Sequence, residues 1–209
     1  MTQQKVVLAT RNLGKVAEFE RMLQAAEVKI QVLGLRDYPE MPDVLETGTT
    51  FAENALLKAE QISAFTGLPA LADDSGLCVD ALAGSPGIFS ARWAGSHGDD
   101  QANLEKVLRE INELDDPSLE AHFTCAVALV VPNENGSGNQ VVLREGKIYG
   151  SLVMGPRGSN GFGYDPIFQP HGYMQTTAEL PAEIKDQISH RGQALAKILP
   201  ELTRLLVRQ

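Results

Sequence analysis

Two adjacent carboxylates stand at the end of an apolar stretch in Ala72-Asp73-Asp74-Ser75-Gly76, with Leu68, Ala70 and Leu71 before them. Neighbouring negative charges repel, and each costs free energy when it is desolvated without a partner. A hard divalent cation such as Mg2+ relieves that repulsion, because it prefers carboxylate oxygens and keeps waters that substrate phosphates can replace. The run therefore reads as the centre of a metal-dependent phosphate site, with Asp73 and Asp74 at the cation. An Asx turn closing a strand is the structural alternative, and the run alone does not choose between them.

Two other segments carry groups suited to phosphate. Thr10-Arg11-Asn12-Leu13-Gly14-Lys15 joins a strand-like run to a helical pattern. At such a junction free backbone N–H groups point outward and the helix dipole is positive, which suits a phosphate chain. A plain N-cap at Asn12 with a solvated Lys15 is the simpler alternative. The glycines of a Walker A loop are absent. Phe51-x-Glu53-Asn54-Ala55-x-x-Lys58-Ala59 puts Asn54 and Lys58 at i and i+4, on one helix face. With Phe51, Ala55 and Ala59 buried, that helix can offer Glu53 to a metal and Lys58 to a phosphate. A routine exposed face reads the same way.

Ser159-Asn160-Gly161-Phe162-Gly163-Tyr164-Asp165-Pro166 holds two aromatics and an acid among glycines. An aromatic so placed can present its face to a planar base, and Asp165 can accept from a ring N–H. A tight turn around a core aromatic weighs equally. Lys185 and Ser189-His190-Arg191 then set cationic donors ahead of a last helix. Such donors suit an oxo group on a ring. A satisfied structural histidine is the alternative for His190.

These segments need an α/β frame. Val6–Ala9 reads as a buried strand, a helix follows with Val16, Phe19, Leu23 and Ala26 on one face, and Val28–Leu33 reads as a second strand. Residues 36–50 read as an exposed loop and Phe51–Phe65 as a helix ended by Gly67 and Pro69. Short strands at 70–72 and 77–79 flank the two acids. A helix is expected over 100–113 and a long strand over 123–131. A polar connection at 132–139 leads to returning strands at 141–144 and 147–149, and a last helix starts near Gln187, bent or interrupted at Pro200. One domain of two lobes fits: the N-terminal half with the last helix, and a second lobe to which about 115–165 contributes.

Net charge is −9, with 27 acids against 18 bases, which opposes nonspecific binding to nucleic acid polymers or anionic membranes. No stretch approaches the ~20 apolar residues of a membrane span, and the start of the chain does not read as a signal peptide. Cys78 and Cys125 are the only cysteines and read as buried small side chains, with the cytoplasm as the default compartment.

In this order, and over nearly the whole chain, the motifs resemble the inosine triphosphate pyrophosphatase family, also called XTP/dITP diphosphatases. The likeness rests on the segments at 6–15, 51–59 and 72–77, on Pro86-Gly87-Ile88-x-Ser90-Ala91-Arg92, on Gly161–Pro166 and on Ser189-His190-Arg191-Gly192. The resemblance implies a homodimeric, cytoplasmic, Mg2+-dependent hydrolase that converts ITP, dITP and XTP to the monophosphate and pyrophosphate. It implies an elongated mixed sheet with flanking helices and two lobes around a central nucleotide cleft. By position, Thr10 to Lys15 would hold the triphosphate with Lys58 and Ser75. Asp74 would be the general base or a metal-linked acid, with Glu46 or Glu53 near the cation. Phe162, Gly163, Tyr164, Asp165, Lys185, His190 and Arg191 would hold the base. A 6-oxo purine offers an acceptor to those donors where adenine offers an amino group, which a buried polar site rejects. An aspartyl-phosphate phosphatase and a non-catalytic nucleotide-binding regulator are the competing readings. The first lacks its Asp-x-Asp pair, and the candidate base, metal and phosphate contacts count against the second.

Overall fold

The computed structural model describes residues 4–133 and 138–206. Six strands hydrogen-bond in the order β2-β1-β3-β4-β5-β6. They are β1 (Lys5–Leu8), β2 (Gln31–Gly34), β3 (Ala70–Val79), β4 (Glu120–Pro132), β5 (Asn139–Leu152) and β6 (Phe168–Pro170). Five α-helices accompany them: α1 (Leu13–Ala25), α2 (Phe51–Thr66), α3 (Asp100–Asn112), α4 (Ala182–Ile188) and α5 (His190–Leu206). β1 runs parallel to both β2 and β3, whereas β5 and β6 are antiparallel, so the sheet is mixed as expected. Among the described residues no helix is long and apolar enough to cross a membrane.

The chain divides into two compact units. The first holds residues 1–74, 126–146 and 191–209; the second holds 75–125 and 147–190. The segment 115–165 is thus shared, with 126–146 in the first unit. In the first unit Val7, Ala70, Ala72, Ala126 and Ala128 pack on Ala55, Ala59 and Ile62 of α2. Small strand residues let the helix lie close. In the second unit Leu104, Val107 and Ile111 of α3 pack with Leu77, Val79, Phe123, Ile148, Tyr164 and Phe168.

Several elements differ from the sequence expectation. β3 is one unbroken strand through Asp73 and Asp74, not two short strands around a turn. The acids have ion-pair partners there, so the extended backbone continues and the Asx-turn alternative falls. The returning strands at 141–144 and 147–149 are likewise one strand, β5. Residues 134–137 of the expected polar connection lie outside the described residues. Two helices replace the expected last one, and α5 continues through Pro200 to Leu206, so Pro200 does not interrupt it. Leu195, Ile198, Leu202 and Leu206 are buried along it, and that apolar stripe outweighs the backbone hydrogen bond that proline removes. α2 ends as expected, with Gly67 left-handed at φ 68° and its N–H on the Ser63 carbonyl.

Tyr164 belongs to the second unit's core: it is buried, and its hydroxyl donates to the Ser90 carbonyl at 2.8 Å. Burial pushes the phenol above its ordinary range, with the Asp100 and Glu110 carboxylates adding to the effect. Tyr164→Phe removes the donor from a buried carbonyl and is expected to destabilise the fold by about 1–3 kcal/mol in urea denaturation.

Candidate active site

β3 sets the first unit's chemistry by alternation. Successive strand side chains point to opposite faces. Ala70 and Ala72 face α2, and Asp74 continues that row onto Asn54 and Lys58 of the same helix. Asp73 takes the other row and meets Lys15 at the start of α1 and Arg191 at the start of α5. Adjacent in sequence, the two acids therefore have different partners.

Asp73 is buried and ion-paired. Its Oδ2 accepts from Lys15 Nζ at 2.9 Å and from Arg191 Nε at 3.2 Å. Arg191 also donates through Nη1 to Glu18 at 2.9 Å. Burial alone would raise the Asp73 pKa, but Lys15, Arg191 and Lys58 overcome it and hold the carboxyl well below the usual carboxylate range. The repulsion expected between the two acids is thus relieved at Asp73 by cations of the chain itself.

Asp74 has a different balance. Its Oδ2 accepts from Asn54 Nδ2 at 3.1 Å and its Oδ1 from Lys58 Nζ at 3.3 Å. Burial pushes its pKa up; Lys58 and the Asn54 hydrogen bond oppose that, and the Glu46 and Asp73 charges reinforce it. Lys58 bonds Glu46 Oε1 at 3.0 Å, so one ammonium bridges two carboxylates. Burial disfavours that ammonium, but Asp74, Asp73 and Glu46 outweigh burial and raise its pKa.

The structure separates Glu46 from Glu53. Glu53 is turned back on its own helix start, where its Oε2 accepts from Thr49 N at 2.6 Å and Thr49 Oγ1 at 2.9 Å. Its backbone N–H donates to the Thr50 hydroxyl, completing a capping arrangement. The Thr49 backbone and hydroxyl bonds lower its pKa. Glu46, joined to Asp74 through Lys58, is the second acid of the site. Among the described residues no three Asp, Glu, His or Cys side chains cluster as a metal cage. Two carboxylates do suit Mg2+, which is usually held by one or two of them together with substrate phosphates.

The junction before α1 is built as a cap. Asn12 Oδ1 accepts from Gly14 N at 2.8 Å and Lys15 N at 3.4 Å, and Thr10 Oγ1 accepts from Asn12 N at 3.1 Å. The simpler reading of Asn12 is therefore what the free chain shows. Arg11 reaches the Met41 carbonyl at 2.9 Å and Asp43 at 3.4 Å, which ties this junction to the 36–50 loop. Leu13 opens α1, and its side chain lies outside the described ones.

The second unit carries the aromatic loop. Asp165 is buried, and its Oδ2 accepts from Lys185 Nζ at 2.6 Å and Phe162 N at 2.8 Å. Its Oδ1 accepts from Thr177 Oγ1 at 2.8 Å. Asp165 thus shapes the loop and holds Lys185. Gly163 N donates to Asp100 Oδ2 at 2.8 Å. Phe162 is half-buried, with Lys185 Nζ 5.2 Å from its ring centre. Tyr164 is a core residue, as described above. His190 is buried, and its ring stacks on Phe123 at 4.7 Å and 10°. Ser75, half-buried in β3, is the first residue of this unit. Cys78 and Cys125 are both buried thiols outside any disulfide, as expected.

Arg191, of the expected base-binding set, bonds Asp73 and Glu18 within the first unit. Glu18 and Asn54 were outside the expected site. Glu18 stands one turn beyond Lys15 in sequence, and Asn54 one turn before Lys58, so i,i+3 and i,i+4 spacing from the two lysines was the available signal.

Because Asp73 has a lower pKa in the fold than the ~3.9 of an unfolded aspartate, the native state binds fewer protons there. The stabilisation is complete above about pH 4 and drains away as pH falls toward the folded value. Asp73→Asn leaves Lys15 and Arg191 without their shared carboxylate, and a loss of roughly 3–5 kcal/mol is expected in denaturant titrations at pH 7. Part of the difference from wild type should disappear below about pH 4.

Comparison with known proteins follows this geometry. The Ham1 family model matches residues 6–201. The chain is 54% identical over 202 residues to the dITP/XTP pyrophosphatase of Streptomyces coelicolor, a match covering 97% of this chain and 98% of that protein. It is 45% identical over 197 residues to the dITP/XTP pyrophosphatase of Bacillus cereus, covering 94% of each. A solved HAM1 protein from Coxiella burnetii superposes with a TM-score of 0.85 at 42% identity, over 97% of this chain and 100% of that one. With a family match across nearly its whole length and relatives this similar, the chain belongs to the Ham1 family.

Proposed function

We propose that this protein hydrolyses deaminated purine nucleoside triphosphates, ITP, dITP and XTP, to the monophosphate and pyrophosphate. One observation carries the chemical part of the reading. A buried carboxylate, Asp74, is held between a neutral amide and a lysine that also binds Glu46. The names of the relatives, dITP/XTP pyrophosphatase, support the substrate class. Water cleaves the anhydride between the α and β phosphates, so the products are a nucleoside monophosphate and pyrophosphate.

Asp74 suits a general base or a metal-linked acid: in the free chain burial and the nearby acids raise its pKa, and Asn54 and Lys58 hold its carboxylate in place. Lys58 stays charged and can move from the carboxylates to a phosphate oxygen. Lys15, bonded to Asp73 in the free chain, is the second cation available to the triphosphate. The Thr10 hydroxyl and the Asn12 amide nitrogen at the α1 cap are neutral donors. Asp74 and Glu46 would hold Mg2+, which when bound neutralises phosphate charge and stabilises the leaving pyrophosphate. In the second unit, Phe162 offers a ring face and Lys185 a donor for a 6-oxo group. Family likeness supports a homodimeric assembly and a cytoplasmic location as parts of the same proposal.

Incubation with Mg2+ and ITP is the direct test. Pyrophosphate release is expected; orthophosphate alone would point to a phosphatase, and binding without turnover to a regulator. Asp74→Asn is expected to lower kcat by roughly 10²–10⁴-fold while the protein stays folded by circular dichroism. A near-normal rate would remove Asp74 from the mechanism. For base selection the informative variant is Lys185→Gln, which removes the ammonium that Asp165 holds beside the Phe162 ring. The ITP-to-ATP ratio of kcat/KM should fall by about tenfold or more in folded Lys185→Gln, and an unchanged ratio would place base reading elsewhere.

A further inference from the structure

Asn54 is wholly buried in the first turn of α2. Its side-chain oxygen accepts from the Gly48 N–H at 2.8 Å, and its nitrogen donates to Asp74 Oδ2 at 3.1 Å. These partners dictate the orientation of the amide. The reverse placement sets donor against donor at Gly48 and acceptor against acceptor at Asp74. Aspartate, of the same shape, would keep the acceptor and lose the donor; alanine would lose both.

The Gly48 side gives independent support. A Cβ added at Gly48 would lie 2.7 Å from Asn54 Oδ1 and 2.7 Å from Glu53 Cβ, so the backbone approaches as closely as a glycine permits. Gly48 follows Glu46 by two residues. One amide therefore ties the segment bearing Glu46 to the carboxylate of Asp74. Lys58 holds the other Asp74 oxygen. When Lys58 turns to a phosphate, the neutral donor of Asn54 is the one that stays.

We propose that Asn54 is a positioning residue for the hydrolytic reaction, fixing the Asp74 carboxylate and the Gly48 backbone in one geometry. This rests on the reading of Asp74 as the working carboxylate. Misplacing a reacting group by about 1 Å costs on the order of 10²-fold in rate, which sets the size of the expected effect.

The test compares wild type, Asn54→Asp and Asn54→Ala by steady-state kinetics with ITP and Mg2+, and by hydrogen exchange of the Gly48 amide in NMR. Asn54→Asp is expected to keep Gly48 protected while kcat falls roughly 10²-fold and KM moves far less. Asn54→Ala is expected to lose both the protection and the rate. Folded Asn54→Asp with kcat within about twofold of wild type overturns the proposal. Should Asn54→Asp not fold, the same kcat criterion applies to Asn54→Ala, and failure of both to fold makes Asn54 a stability residue and overturns it too. A wild-type protein that releases no pyrophosphate overturns the functional reading, and this inference with it. Active wild type with normal variants overturns this inference alone.

Discussion

The first unit depends on the buried carboxylate of Asp73. It draws Lys15 from the start of α1 and Arg191 from the start of α5 onto one oxygen. Glu18 adds a second acid to Arg191. An ion cluster this deep is a weak source of net stability, because desolvation offsets most of its Coulomb gain. Its consequence is geometric. Removing any member leaves an uncompensated charge inside the protein, so the ends of the chain are held to the middle of β3 by a penalty for separation. Lys15 is thereby kept beside the capped junction of α1.

The same constraint explains how neighbouring aspartates acquire opposite character. Strand alternation sends Asp73 to two cations and Asp74 to one amide and one shared lysine. Asp73 stays an anion far below the ordinary range, while burial and the Glu46 charge raise Asp74. Acids pushed apart in this way fit the proposed division between a structural Asp73 and a working Asp74. A one-residue slip of β3 would move either Asp73 to the α2 face or Asp74 to the face of Lys15 and Arg191, so the register of the strand decides which partners each acid meets.

Much of this was legible in the residues. The apolar periodicities of α1, α2 and α3 and the runs at β1 and β4 gave an α/β frame, because burial on one face imposes them whatever the partner. The family resemblance placed Lys58 and Asp74 in one site, but their direct pairing was not legible in the residues. What could not be read was which partner each charge takes. Arg191 stands beside His190 in sequence, yet its bonds go to Asp73 and Glu18 while His190 stacks on Phe123. Asp165 and Tyr164 looked like ligands for a base because they are polar groups among glycines. They are instead satisfied internally, by Lys185, Thr177 and the Ser90 carbonyl. Long-range pairing of this kind leaves no local period. Strand continuity through Asp73-Asp74 was hidden for a related reason, since local propensity disfavours acids in strands and only distant cations reverse that preference.

The arrangement also bears on how the free protein waits for a polyanion. Lys15 is bonded to Asp73, and Lys58 to Asp74 and Glu46. No lysine of this set stands as an isolated buried cation, and no acid of it as an isolated buried anion. A triphosphate arriving alone would draw the lysines away and expose the acids to one another. A divalent cation arriving with it would restore the balance at Asp74 and Glu46, while Asp73 would keep Arg191. Charge compensation inside a low-dielectric site would therefore favour joint entry of nucleotide and metal over either alone, with the proposed metal at the acids that lose their lysine.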